Sequence, residues 1–143
     1  MRCIMSNGVP KKSLRVLCAE DNTFISSLLR RGLEEAGHSV QCVGNGLAAR
    51  ELIASAPSHI DVVITDHEMP YITGLDLVSE LRAMNFSGRI IVYSSQLRST
   101  QAAAYRSLAV DHIFTKPAPW KQLLAAVEES QTQRPTNNYC AWP

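Results

Sequence analysis

The chain has 143 residues, of which 45% are apolar and 19% charged, and its formal net charge is +1. That mixture suits one globular domain with a real hydrophobic core. It offers no electrostatic basis for capture by nucleic acid or an acidic membrane surface, and no apolar run approaches the roughly 20 residues of a membrane helix.

Residues 1–13 read as a flexible leader, because their hydrophobic segment is too short for a signal peptide. Leu14 to Cys18 is a brief apolar run suited to a strand buried on both faces. Phe24, Ile25, Leu28, Leu29, Leu33 and Ala36 then recur at helical spacing, with Gly37 as the stop. Ser39 to Val43 predicts a second strand, followed by the turn-like Gly44-Asn45-Gly46. Leu47, Leu52 and Ile53 mark a second helix that closes before Pro57. Val62 to Thr65, rich in β-branched residues, is the third strand, and Gly74 to Met84 the third helix. Ile90 to Tyr93 is the fourth strand, alanine-rich Gln101 to Leu108 the fourth helix, and His112 to Phe114 a short fifth strand. The last helix starts near Pro119, which suits a first helical position, and carries Leu123, Leu124 and Val127. From Gln131 the chain is polar and Pro-interrupted, so the domain is expected to span 14–130 with a loose tail at 131–143.

Strict alternation of strand and helix with short links implies an α/β, doubly wound, five-stranded parallel sheet with right-handed crossovers. The order 2-1-3-4-5 is carried over from folds of this kind rather than derived from the pattern. Ligands of such sheets bind beyond the carboxyl ends of the strands. The first strand runs into Glu20-Asp21, the third into Asp66, the fourth into Ser94 and the fifth into Lys116-Pro117. Carboxylates converging at one edge repel one another unless a cation sits among them. Magnesium (or manganese) is the expected cation, since it takes oxygen ligands and keeps waters that a phosphate can displace. Lys116 would bind a phosphoryl oxygen and the Ser94 hydroxyl another, leaving Asp66 as a nucleophile for phosphoryl transfer.

Ala19-Glu20-Asp21-Asn22, Thr65-Asp66-His67-Glu68-Met69-Pro70-Tyr71-Ile72-Thr73-Gly74, Tyr93-Ser94-Ser95 and Phe114-Thr115-Lys116-Pro117 follow one another in the order and at the spacing of a known set of blocks. Together they resemble the response-regulator receiver domain of two-component signalling, over about Leu14 to Ser130. The resemblance implies a flavodoxin-like receiver fold with Asp66 as phosphoacceptor, Glu20 and Asp21 as metal ligands, and the Glu68 carbonyl completing the protein's ligands. It further implies Ser94 as switch hydroxyl, Lys116 as phosphate-binding lysine joined to Pro117 by a cis bond, and Gly74 as the glycine of the loop after the third strand. Glu68 and Gln96, two residues after Asp66 and Ser94, then border the site and tune phosphoryl lifetime. One position departs from the pattern: three residues before the lysine, where the family usually places Tyr or Phe, stands Ile113. Phe114, pointing to the opposite face, is a poor substitute.

The donor implied is a phosphohistidine on a histidine kinase or phosphotransfer protein, and the output a protein contact. No helix-turn-helix follows Ser130, so direct DNA reading is not expected, and a monomer is favoured. Tyr105 and Trp120 read equally as anchors of a partner face near Arg98 and Arg106 or as core rings. The histidines (His38, His59, His67 and His112) are scattered, and His67 is expected at the surface because strand alternation turns it from the acceptor's side. Cys3, Cys18, Cys42 and Cys140 have no metal-ligand spacing, and a reduced, cytoplasmic setting is expected. Two rival readings are a pseudo-receiver that is never phosphorylated and a small aspartyl-phosphate phosphatase with Glu68 as second acid. A flavin carrier is disfavoured by the two carboxylates after the first strand.

Overall fold

The structure is a computed structural model and describes residues 12–129. The tail expected from Gln131, nearly all of the leader, and Cys3 and Cys140 lie outside those residues. Five parallel strands, β1 (Arg15–Ala19), β2 (Ser39–Val43), β3 (Val62–Thr65), β4 (Arg89–Ser94) and β5 (His112–Thr115), form one sheet in the order 2-1-3-4-5. The helices are α1 (Thr23–Glu35), α2 (Gly46–Ser55), α3 (Gly74–Ala83), α4 (Ser99–Ser107) and α5 (Trp120–Val127).

The strands alternate their side chains between two cores, as pleating requires. Val16, Cys18, Ile64 and Ile91 pack with Leu29 and Leu33 of α1 and Leu123 and Val127 of α5. Leu17, Ala19, Val63, Ile90 and Val92 face the other way, against Ala49 and Ile53 of α2, Leu77 and Leu81 of α3, and Tyr105 of α4. Every residue of β3 is buried, so a continuous apolar run, not an alternating one, is what its position demands.

Side chains at the helix starts satisfy the backbone N–H groups that helices leave open. The Asn22 side chain accepts from the backbone N–H of Phe24 and Ile25 at 3.0 and 3.1 Å. Asn45 accepts from Ala48 at 2.7 Å, and Thr73 and Asp76 cap α3 reciprocally. Gly37, at φ 98°, follows α1 in the left-handed region where glycine carries no Cβ penalty.

Three local features differ from the sequence expectation. α4 begins at Ser99 rather than Gln101, because the Gln101 side chain accepts from the backbone N–H of Arg98 at 2.9 Å and draws that turn into the helix. Pro119 is the cap of α5 and Trp120 its first residue. A short 3-10 turn at Pro57–His59, which no periodicity announces, leads into β3.

The edge of the sheet away from the strand ends is tied by polar groups, some exposed and some buried. Asp61 accepts from Arg15 through the backbone N–H at 2.8 Å and the guanidinium at 3.1 Å. His38 takes the Leu14 N–H on Nδ1 at 3.1 Å and meets Glu128 through Nε2 at 2.6 Å. Arg82, also buried, donates to the carbonyls of Leu108, Phe86 and Ala109 and so joins α3 to the turn after α4. Cys18 and Cys42 are register partners on β1 and β2, both as free thiols.

Candidate functional site

β1 and β3 are paired neighbours, with Ala19 opposite Thr65, so the residues that follow them emerge side by side. Asp66 donates its backbone N–H to the Ala19 carbonyl at 3.0 Å, and Glu20 donates to Val43 at 3.0 Å. Glu20 and Asp66 are both buried, whereas Asp21 is exposed. Each of the three offers a carboxylate oxygen, and these oxygens all lie within 4.8 Å of one another.

Lys116 enters from the end of β5. Its Nζ donates to Glu20 Oε1 at 2.7 Å and to Asp66 Oδ2 at 3.0 Å, and lies 5.6 Å from the centre of the Tyr93 ring. The Lys116–Pro117 bond is cis. The Lys116 backbone N–H donates to the Ser94 carbonyl at 2.8 Å, which places these two residues side by side at the ends of β4 and β5. Ser94 is buried, whereas Glu68 and Gln96 are exposed.

One ammonium among three carboxylates leaves a negative excess, and the titration of the pair reflects it. Burial raises the Glu20 carboxyl above its usual range, and the charge of Asp66 adds to this against the hydrogen bonds from Lys116 and Asn22. Burial would lower Lys116, but its bonds to Glu20 and Asp66 outweigh that and hold its ammonium above the ordinary value. Three converging oxygen ligands fit a hard divalent cation such as magnesium or manganese, which would supply the missing charge.

Gly74 allows the loop after β3 to close on itself. A Cβ there would fall on the Asp66 carbonyl and within 2.7 Å of the Tyr105 hydroxyl. The Gly74 N–H instead donates to the His67 carbonyl at 2.8 Å.

His67 is not at the surface. It is buried, its ring bonded through Nδ1 to the Tyr105 hydroxyl at 2.7 Å, and its backbone N–H donates to Asp66 Oδ1 at 2.7 Å. Alternation puts His67 on the side of Val63, and that side is covered by α4 with Tyr105 buried in it, so the residue turned away from the acceptor meets core instead of solvent. Tyr105 is fully buried, which removes it from any partner face. Burial, with the charges of Asp66 and Asp76, raises its phenol and keeps it protonated. Trp120 is exposed, with its ring lying where a Cβ on Gly32 of α1 would stand. Ile113 packs in the same core as Tyr105, and Phe114 in the opposite one. The acids, Lys116 and Ser94 were legible from the strand ends. The His67–Tyr105 bond was not, although a single tyrosine in an alanine-rich helix was the available signal.

Comparison with known proteins agrees with this arrangement. The family model described as response regulator receiver domain matches residues 16–128. The sensory/regulatory protein RpfC of Xanthomonas campestris pv. campestris is 36% identical over 117 residues, covering 79% of this chain and 16% of that protein. The DNA-binding transcriptional regulator NtrC of Azospirillum brasilense is 30% identical over 115 residues, covering 80% of this chain and 24% of that protein. The chain therefore spans only a small part of these relatives' lengths. Among solved structures, a response regulator receiver protein from Pseudomonas putida superposes with a TM-score of 0.77 at 27% identity, covering 83% of this chain and 98% of that one. With the family model matching residues 16–128, which is nearly every described residue, the chain belongs to the response regulator receiver domain family of two-component systems.

Proposed function

We propose that Asp66 accepts a phosphoryl group from a phosphohistidine on a histidine kinase or phosphotransfer protein, in the cytoplasm, and that the change alters a protein-contact surface. The observation that carries this reading is the convergence of Asp66 with Glu20, Asp21 and Lys116, each delivered by a strand end. In the transfer, a carboxylate lone pair of Asp66 forms the new O–P bond as the P–N bond of the donor breaks. The electron pair of that bond returns to the imidazole, which takes a proton from solvent. Magnesium, held by Glu20, Asp21, Asp66 and the Glu68 carbonyl, would offset the charge on the transferring oxygens.

The chain's own residues supply the rest. Lys116 already contacts Asp66 and would hold a phosphoryl oxygen. Ser94, buried beside Lys116, would offer its hydroxyl to another. Glu68 and Gln96, both exposed, would govern access of the hydrolytic water, so exchanging them should change the lifetime of the acyl phosphate without abolishing its formation. Equal decay rates before and after both exchanges would remove that role. Of Tyr105 and Trp120, Trp120 is the one left available for a partner contact, and Phe24 and Tyr71 are more exposed still.

Intact-mass analysis after incubation with acetyl phosphate and magnesium tests the proposal, with Asp66→Asn alongside. One added phosphoryl group is expected, lost without magnesium and lost in the variant. No adduct, together with no binding of beryllofluoride, would make the chain an unphosphorylated interaction module. Continuous turnover of phosphate esters would instead make it a phosphatase.

A further inference from the structure

Three residues before Lys116, where receiver domains usually carry an aromatic ring, β5 carries Ile113. Ile113 packs against the core that holds Tyr105, and it has no polar atom with which to follow a change at the acids. Tyr105 has one. From α4 its hydroxyl meets His67 Nδ1 at 2.7 Å, with the two rings edge to face at 79° and their centres 5.6 Å apart. The same hydroxyl lies 2.7 Å from the position of a Cβ on Gly74. The phenol therefore bonds to one end of the loop that leaves the phosphoacceptor strand and lies beside the other.

His67 is tied to the site by its main chain. Its N–H donates to Asp66 Oδ1 at 2.7 Å, and its carbonyl accepts from Gly74 at 2.8 Å. We infer that the His67–Tyr105 pair transmits the state of Asp66 to α4, in place of the aromatic missing at position 113. The inference rests on Asp66 being the phosphoacceptor. Phosphorylation converts a carboxylate that accepts a charge-assisted hydrogen bond into an acyl phosphate whose carbonyl is a weaker acceptor. The His67 peptide is then held less firmly, and its ring moves with it. A buried phenol stripped of its partner is unfavourable, so Tyr105 follows the ring, and α4 is displaced with it. The element that moves has two packed arrangements, and the phosphoryl group biases the balance between them. Arg98 and Arg106, both exposed on or next to α4, would carry the change to the surface.

The test uses the full chain labelled with nitrogen-15, magnesium, and beryllofluoride as the phosphoryl mimic. Fluorine-19 resonances report binding at Asp66, and amide shifts report the response of Ser94 and of α4. Tyr105→Phe removes the hydroxyl and keeps the ring, whereas His67→Phe removes Nδ1 and keeps an aromatic. In both variants beryllofluoride should bind and the Ser94 amide should shift, while the amide shifts over α4 fall at least ~3-fold relative to the unmodified chain. Circular dichroism melts establish that each variant is folded; should Tyr105→Phe not fold, His67→Phe decides, since it cuts the same bond from the other side. Folded variants that keep full α4 shifts overturn the inference, as does an α4 that never shifts in the unmodified chain. If no bound fluoride appears in the unmodified chain, the phosphoacceptor reading itself fails, and the two failures are thereby distinguished.

Discussion

Lys116 holds two carboxylates of a three-carboxylate cluster, so its removal leaves charges that burial has already separated from water. Truncating one partner of such a set is strongly destabilising because the remaining charges stay unpaired. Lys116→Met should therefore lower stability by about 2 kcal/mol or more in the absence of divalent cation. Millimolar magnesium should recover much of that loss, because it supplies the missing positive charge. Urea melts with and without magnesium measure both effects, and a variant insensitive to magnesium would show that the acids do not hold the ion together. A second prediction concerns the thiols. The hydrogen bond from Cys18 outweighs burial and, with the nearby Arg30, lowers the Cys42 thiol to about 6, while Cys18 itself is held well above its ordinary value. The rate of Cys42 alkylation, followed by peptide mass analysis, should therefore rise with pH through a midpoint of about 6. Cys18→Ala should move that midpoint upward, since the donor that stabilises the thiolate is gone.

At the scale of elements, the loop between β3 and α3 leaves too little room for a Cβ at Gly74. A methyl group at Gly74 would be driven into the Asp66 main chain, which is not free to move because its N–H is bonded to Ala19. Gly74→Ala should cost about 1–3 kcal/mol, the usual range for overpacking a filled site. It should also slow phosphoryl uptake, since Asp66 must shift to make room. A variant with unchanged stability and uptake would mean that the loop relaxes elsewhere. The strands and most helix limits were readable because a sheet covered on both faces demands continuous apolar runs, and helices between them need one apolar stripe. What escaped were features decided by a single side-chain bond. Gln101 sets the start of α4, and the turn at Pro57–His59 has no periodic signal. For Tyr105, a fully buried ring, the alanine-rich helix around it gave no stripe clear enough to separate core from surface.

For the molecule as a whole, the two edges of the sheet have different tasks: the acids gather at one, and the other is fastened by ion pairs. Asp61 belongs to the fastening edge. Burial alone would raise its carboxyl, but hydrogen bonds from the Arg15 side chain and backbone, together with the Arg15 charge, lower it below the usual value. A depressed carboxyl contributes stability that is fully present above its unfolded pKa and is lost as the pH falls through the folded one. Asp61→Asn should therefore cost about 1–2 kcal/mol at neutral pH, through the hydrogen bonds to a charged acceptor. The gap between variant and parent should close as the pH drops below about 4. Thermal melts across that range measure it, and a constant gap would assign the loss to packing instead of charge.

The bonds of Lys116 also span the chain: Glu20 is 96 residues away and Asp66 is 50. Closing loops of that length precedes any reward from the contact, so such pairings are made late in folding. A chain that has formed its first half alone would display Asp66 and the acid pair without their lysine. On the proposed function, competence to take phosphate would belong to the completed fold, and a nascent or half-unfolded copy would be kept silent by its own topology.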